Sequence, residues 1–556
     1  MFAVLSIAVT LGIVLLLARP MGLYIAKVFD YEKTALDRWF GWLEKPIYAI
    51  SGIRRQNQSW KQYATALLVS NAVMILLVYL IFRLQGWLPL NPNGIGAMDA
   101  HTAFNTAISF MTNTDLQHYS GESGLSYFSQ MVAIVFMLFA SPATGLAVAL
   151  AFIRALTGRP LGNFFVDWVR SITRILLPIA LAGALIFIAL GVPQTLEPTE
   201  VAHTIGGGVQ EIARGPVGSF LSIKELGNNG GGFFGANSAH PFENPNAISN
   251  MLQILLMLLV TTALPFTYGK MSGSAKQGRV LFVSMAVLFI IMISISLTAE
   301  YSGNKALNTL SIEHQQGSME GKEVRFGTAQ SSLYSVVTTA SETGAVNTMH
   351  DTLTPIGGMV PLANMMLNTV FGGIGVGFLN VLMYAIIAVF LSGLMVGRTP
   401  EFLGRKIEGR EMKLIAVLLV IQPLLILVPT AAALFTHANT ISNPGYHGLT
   451  QVLYEYTSSA ANNGSGFEGL GDANLFWNMT TGIVMFLGRY ISMVLLLAAA
   501  GSLAAKKAVP ETSGTFRTDS GLFGIVFAGT VLIVGALTFF PSVVLGPVAE
   551  QLTLLP

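Results

Sequence analysis

The chain has no cysteine, so disulfides and thiolate metal sites are excluded from the outset. Charge is scarce as well: Asp, Glu, Lys and Arg make up only 10% of the residues, against about 25% in a soluble domain. The formal net charge is +2 and the basic residues are scattered, so no nucleic-acid partner is expected. There is no phosphate-binding loop ending in Gly-Lys-Ser/Thr, no kinase-type glycine loop and no Asp-Lys-Thr-Gly phosphorylation motif. A nucleotide site on this chain is therefore not expected. If ATP drives its activity, another chain must hydrolyse it.

What fills the 556 residues is apolar side chain, 53% of the total. Several runs reach the roughly 20 residues that a helix needs to cross a bilayer. Ten spans are expected, near 2–20, 63–84, 126–153, 172–192, 247–269, 280–299, 360–396, 412–435, 475–503 and 523–546. The first run lacks a basic segment before it and a small-residue cleavage site after it, and is read as a retained helix. With the N-terminus outside, 23 of the 30 Lys and Arg fall in cytoplasmic loops, and 18 of the 28 Asp and Glu fall outside. The positive-inside rule thus places both termini on the exterior side, and the acidic exterior suits attraction of cations.

Four polar, glycine-rich stretches interrupt the apolar pattern at even intervals. They are Thr112-Asn113-Thr114, Asn228 to Gly232, Thr343-Gly344-Ala345 and Asn462 to Ser465, each between two spans. Marked at Asn113, Asn229, Gly344 and Asn463, the steps are 116, 115 and 119 residues. Such a period implies four copies of one unit. Each stretch follows a segment too short to span, about 101–111, 218–226, 331–341 and 449–458. A half-helix there would aim its partly negative C-terminus at the loop. Four such ends, with glycines freeing the carbonyls to turn inward, would hold a monovalent cation without a fixed carboxylate. Singly, such stretches also read as ordinary turns.

Two features inside the expected membrane have competing readings. Arg489 is either a barrier to a passing ion or a structural residue, held in a salt bridge or capped by backbone carbonyls. The Gly372 to Gly377 run, with Gly372, Gly373, Gly375 and Gly377, is either a gate in a broken helix or a seam of close helix packing. Arg489 is taken as essentially the only intramembrane ionisable residue. His118, His240 and His350 are read as hydrogen-bonded loop residues, with no carboxylates gathered around them at ligand spacing.

Several strings are distinctive: Gly227 to Phe234, Asn237 to Pro245, Ser126 to Met131, Gly397 to Glu401 and Met319 to Glu323. On these the chain resembles, over essentially its full length, the potassium-binding A subunits of bacterial Kdp potassium-transporting ATPases. The resemblance implies an all-α polytopic membrane protein with ten transmembrane helices. Four helix–pore-helix–helix repeats surround one pore, as in the superfamily of potassium transporters. The implied segments are 1–62, repeats at 63–155, 172–271, 280–397 and 412–505, and a last helix in 520–556. It further implies K+ as transported ion, no nucleotide on this chain, and a bacterial inner-membrane complex. The implied partners are the ATP-hydrolysing P-type ATPase subunit, a companion subunit with a single span and a further small one, with membrane lipid around them.

Carried onto this sequence, the implied filter comprises Thr112, Asn113, Thr114 and Asp115; Asn228, Asn229, Gly230 and Gly231; Thr343 and Gly344; and Asn462, Asn463 and Gly464. Gln117 and Asn237 would flank the entrance, and Arg489 and the Gly372–Gly377 break would lie on the path inward. The chain departs from the family pattern at Asp115, where Asn is expected. It departs also at Ala461, where the fourth stretch would read as three Asn, and at Thr343, where relatives carry Cys. None of these changes removes a backbone carbonyl. The rival readings are a self-standing ion transporter of this architecture and a lipid-acting membrane enzyme. The second would need catalytic carboxylates or histidines converging at one membrane face.

Overall fold

The computed structural model describes residues 2–34, 36–304, 317–395, 397–510 and 516–554. The segments 305–316 and 511–515, in the expected third repeat and the last basic loop, lie outside the described residues, as do 1, 35, 396 and 555–556. Ten described helices are long and apolar enough to cross a membrane, from Val4–Phe29 to Gly521–Thr553. Nine match the expected runs within a few residues to a turn or two. The tenth run is split: Pro355–Leu367 is one helix and Val376–Met395 another. Only the second half is long enough to span.

Burial sorts the spans into an inner and an outer set. In Ser129–Leu156 and Ala247–Met271, 72% of the most apolar window is buried, whereas in Val4–Phe29 it is 17% and in Gly409–Thr436 22%. The outer helices present Leu16, Leu77, Val420 and Leu537 outward, the arrangement a hydrocarbon solvent requires. Helix ends are set by side-chain caps: Ser59, Asn246 and Asn474 accept from the first-turn N–H groups of Trp60–Leu84, Ala247–Met271 and Leu475–Ala504.

Between the spans lie four short helices, Ala100–Met111, Val217–Leu226, Gly327–Ala340 and Tyr446–Ala461. At 10 to 16 residues they cannot cross a bilayer. Each is buried along most of its length and ends at one of the polar stretches. Among the described residues the strands form two small antiparallel hairpins, Glu200–His203 with Val209–Ile212 and Glu401–Phe402 with Arg405–Lys406. At one end of the bundle, Arg154 pairs with Asp167 at 2.7 and 3.0 Å, and Tyr63 donates to the same carboxylate at 3.1 Å. A charge this deeply buried is tolerated because every polar atom has a partner.

Candidate functional site

The four polar stretches meet, and their backbones repeat one another. In each, two residues separated by one have left-handed φ: Asn113 and Asp115 at 62° and 56°, Asn228 and Gly230 at 49° and 85°, Glu342 and Gly344 at 53° and 85°, Asn462 and Gly464 at 57° and 98°. This alignment corrects the register taken from the sequence. Asn113 is equivalent to Asn228, not to Asn229, and to Glu342 rather than Gly344. The fourth equivalent is Asn462. The intervals become 115, 114 and 120 residues.

The hydrogen bonds show where the carbonyls go. The N–H groups of Thr114 and Asp115 both donate back to Ser109 O, those of Asn229 and Gly230 to Lys224 O, and those of Thr343 and Gly344 to Thr338 O. In the fourth stretch Asn463 N donates to Ser458 O and Gly464 N to Ser458 Oγ. A peptide plane points its C=O opposite to its N–H. With the N–H groups tied to the helix ends, the carbonyls of Asn113, Asn228, Glu342 and Asn462, and of Thr114, Asn229, Thr343 and Asn463, turn away from those ends. An extended strand would send successive carbonyls to opposite sides. Alternating left-handed φ sends them to the same side.

Close contacts give the order around the ring. A Cβ on Gly230 would lie 1.8 Å from Thr343 O, one on Gly344 2.0 Å from Asn463 O, and one on Gly464 1.9 Å from Thr114 O. Repeat two therefore abuts three, three abuts four, and four abuts one. The glycines serve both the φ and the approach. In the first repeat Asp115 holds this position, its carboxylate buried, with Oδ2 3.5 Å from Gly231 N and Oδ1 without a hydrogen-bond partner among the described residues. Gly231 itself is hemmed in by Phe110 and Asp115.

Side chains also link the stretches to one another. Asn113 Nδ2 donates to Asn228 O, one of these carbonyls, at 2.5 Å, Asn228 Nδ2 to Thr343 Oγ1 at 2.8 Å, and Asn462 Nδ2 to Thr114 Oγ1 at 2.9 Å. Thr112 and Thr114 share a hydroxyl bond at 2.8 Å, and Ser341 and Thr343 repeat it at 2.7 Å. Gln117 clasps Gly232, accepting from its N–H at 2.7 Å and donating to its carbonyl at 3.0 Å. Asn237 donates to Gly230 O at 2.8 Å. Gln117 and Asn237 are thus joined to the second stretch.

The break after Leu367 touches the ring. A Cβ on Gly373 would lie 2.6 Å from Glu342 Oε2, and one on Gly375 2.1 Å from Gly145 O. Gly372 and Gly377 pack against one another, and Asn368 Nδ2 reaches Ala461 O at 3.4 Å. Arg489 is buried, and its Nη2 has no hydrogen-bond partner among the described residues. It makes no ion pair within 4 Å among the described residues; the groups that act on it electrostatically are Glu342, Tyr490 and Asp115.

Buried charge is more plentiful than the sequence suggests. Lys224, Glu225 and Glu243 are fully buried, with Lys224 Nζ 2.6 Å from Glu243 and 2.5 Å from Asn237 Oδ1. Glu342 was missed because its stretch was aligned two residues late. Correct alignment on the left-handed positions exposes it as the one acid among three asparagines. His118 does gather carboxylates: its ligand atom and those of Glu455 and Asp472 all lie within 4.8 Å of one another. His240 instead stacks on Phe234, and His350 faces Tyr454.

Elsewhere, His447 donates from both ring nitrogens, to Glu550 and to Asp351, each at 2.9 Å. Burial alone would lower its pKa, but the two carboxylates outweigh it and hold the imidazolium up to about 9.

Ten described helices of membrane-spanning length and apolarity, with four short buried helices between them, define an all-α multi-pass membrane protein. A family model described as the potassium-transporting ATPase A subunit matches residues 8–552, and the chain belongs to that family. Potassium is accordingly the transported ion, and the chain works within a Kdp ATPase complex.

Proposed function

We propose that the ring is the selectivity filter through which this protein takes K+ from the exterior and hands it to the P-type ATPase subunit of the complex. Two successive sets of four carbonyls carry this reading. Eight carbonyl oxygens replace a potassium hydration shell, with the Asp115 and Glu342 carboxyl groups beside them. The C-terminal ends of four half-helices add partial negative charge at the same point. The filter residues are Thr112 to Asp115, Asn228 to Gly231, Thr343, Gly344 and Asn462 to Gly464. Glu342 joins them. Gln117 and Asn237 hold the entrance side.

On the inner side, the Gly372–Gly377 loop obstructs a straight path, and the positive Arg489 raises its electrostatic cost. The ion then leaves sideways toward the ATP-hydrolysing partner, with the single-span and small companions completing the complex. The membrane is the bacterial inner membrane, with both termini outside. The experiment is potassium-stimulated ATP hydrolysis by the purified complex, comparing the chain with its Gly230→Asp variant. A large rise in the potassium needed for half-stimulation supports the filter. Unchanged stimulation sends the ion by another route and removes it.

A further inference from the structure

Three residues after Asp115, His118 faces two acids from another part of the chain. Its Nε2 lies 3.2 Å from Glu455 Oε1 and 3.8 Å from Asp472 Oδ2. Glu455 projects from the fourth short helix, Tyr446–Ala461, and Asp472 from the loop before Leu475–Ala504. The other face of the ring is pinned. Asn478 Nδ2 donates to Asn474 O and to His101 Nδ1, both at 3.0 Å, so its Oδ1 is left as an acceptor 3.0 Å from His118 Nδ1. His118 Nδ1 therefore carries the proton. Nε2 is the nitrogen offered to the acids.

We propose that His118, Glu455 and Asp472 form a binding site for a divalent d-block cation, with Zn2+ the best match. Ligand atoms at about 2.0–2.1 Å from a tetrahedral zinc are about 3.3 Å apart, and the separations of 3.2 and 3.8 Å bracket this value. An imidazole whose second nitrogen donates to a fixed oxygen is the usual arrangement of a zinc-binding histidine. Two carboxylates with one neutral imidazole give a charge of −2, which a divalent ion balances. Calcium and magnesium prefer all-oxygen shells with more ligands. Asp472 is partly exposed, with 29% of its side-chain surface accessible, so the site has an approach from solvent and room for a fourth ligand.

The ligands come from repeats one and four. A bound ion joins the only two neighbouring repeats that are not consecutive in the chain. The site would bind its ion whether or not the ring of carbonyls selects potassium.

The test is metal binding by the purified full-length chain, in its complex and in detergent. Zn2+ is titrated against a competing chelator, and Co2+ is followed by its visible spectrum. The expected result is one saturable equivalent, an intense tetrahedral Co2+ band and a raised unfolding temperature with Zn2+. His118→Ala should weaken binding by more than the 10- to 100-fold that losing a supporting hydrogen bond costs. Asp472→Asn, a loop change that leaves the helix packing intact, decides the matter if His118→Ala fails to fold. Absence of saturable binding overturns the proposal and leaves a protonated imidazole bridging two acids. Binding that survives Asp472→Asn overturns it as well.

Discussion

Gly464 backs directly onto the carbonyl of Thr114, so closely that a Cβ would lie 1.9 Å from that oxygen. One residue comes from the last repeat and the other from the first. Their contact closes a circle that the polypeptide leaves open. Asn462 secures the joint through Thr114 Oγ1 at 2.9 Å.

Gly344→Ala places a methyl group 2.0 Å from Asn463 O at a residue with φ of 85°. The carbonyl has to move, and coordination by the ring suffers. The potassium concentration for half-stimulation of ATP hydrolysis should rise at least about tenfold, equivalent to about 1.4 kcal/mol. An unchanged value would show that this carbonyl does not meet the ion.

Asp115→Asn keeps the shape of the side chain and the left-handed preference while removing the ionisable group. Burial pushes the Asp115 carboxyl well above the usual carboxylate range and its Oδ1 has no hydrogen-bond partner among the described residues, so its charged form depends on a cation at the ring, and Asn removes that attraction. Half-stimulation by potassium should shift upward several-fold, less than for Gly344→Ala, with the ion-free folded protein no less stable. Competition between Na+ and K+, measured in the same assay, reports whether the charge also blurs discrimination.

Gly373→Ala puts a methyl group 2.6 Å from Glu342 Oε2 in the loop beneath the ring. The loop must shift while the carbonyls above keep their braces. Maximal turnover should change, with the half-stimulating potassium concentration staying within about twofold. A change confined to that concentration would assign the loop to binding instead.

Lys224→Met leaves Glu243 and Glu225 buried without their counter-charge. Removing one partner of a buried pair costs about 3–5 kcal/mol. Thermal unfolding in detergent should show a large drop, partly restored when Glu243→Gln is added.

His447 predicts a pH effect with a definite sign. Its pKa is about 9 in the folded protein, above the ordinary histidine value of 6.5. The folded state therefore binds the proton more tightly. The stabilisation is complete below pH 6.5 and is lost as pH rises through 9. Unfolding temperatures should fall across this window, and His447→Asn should flatten that part of the profile.

The spans were legible because a lipid solvent demands long apolar runs, and runs survive uncertainty about single residues. The break after Leu367 was legible for the same reason, since glycines clustered in a run are conspicuous. Registration of the four stretches was not. Asn228 and Asn229 are adjacent and chemically identical, so composition could not choose between them, whereas φ does. Glu342 was hidden because its stretch was marked at Gly344, two residues further on. Lys224 with Glu243, and His118 with Glu455, are assembled by packing. The second pair is 337 residues apart in sequence, beyond any local pattern.

The joint between Asn462 and Thr114 also has a meaning in time. These residues are 348 positions apart, so the first loop is made long before its neighbour exists. A chain interrupted anywhere before the fourth loop has at most three sides of a circle and no closed ring. Completion of the ring thus waits on nearly the whole polypeptide, and an unfinished product in the membrane lacks the very opening through which ions would leak.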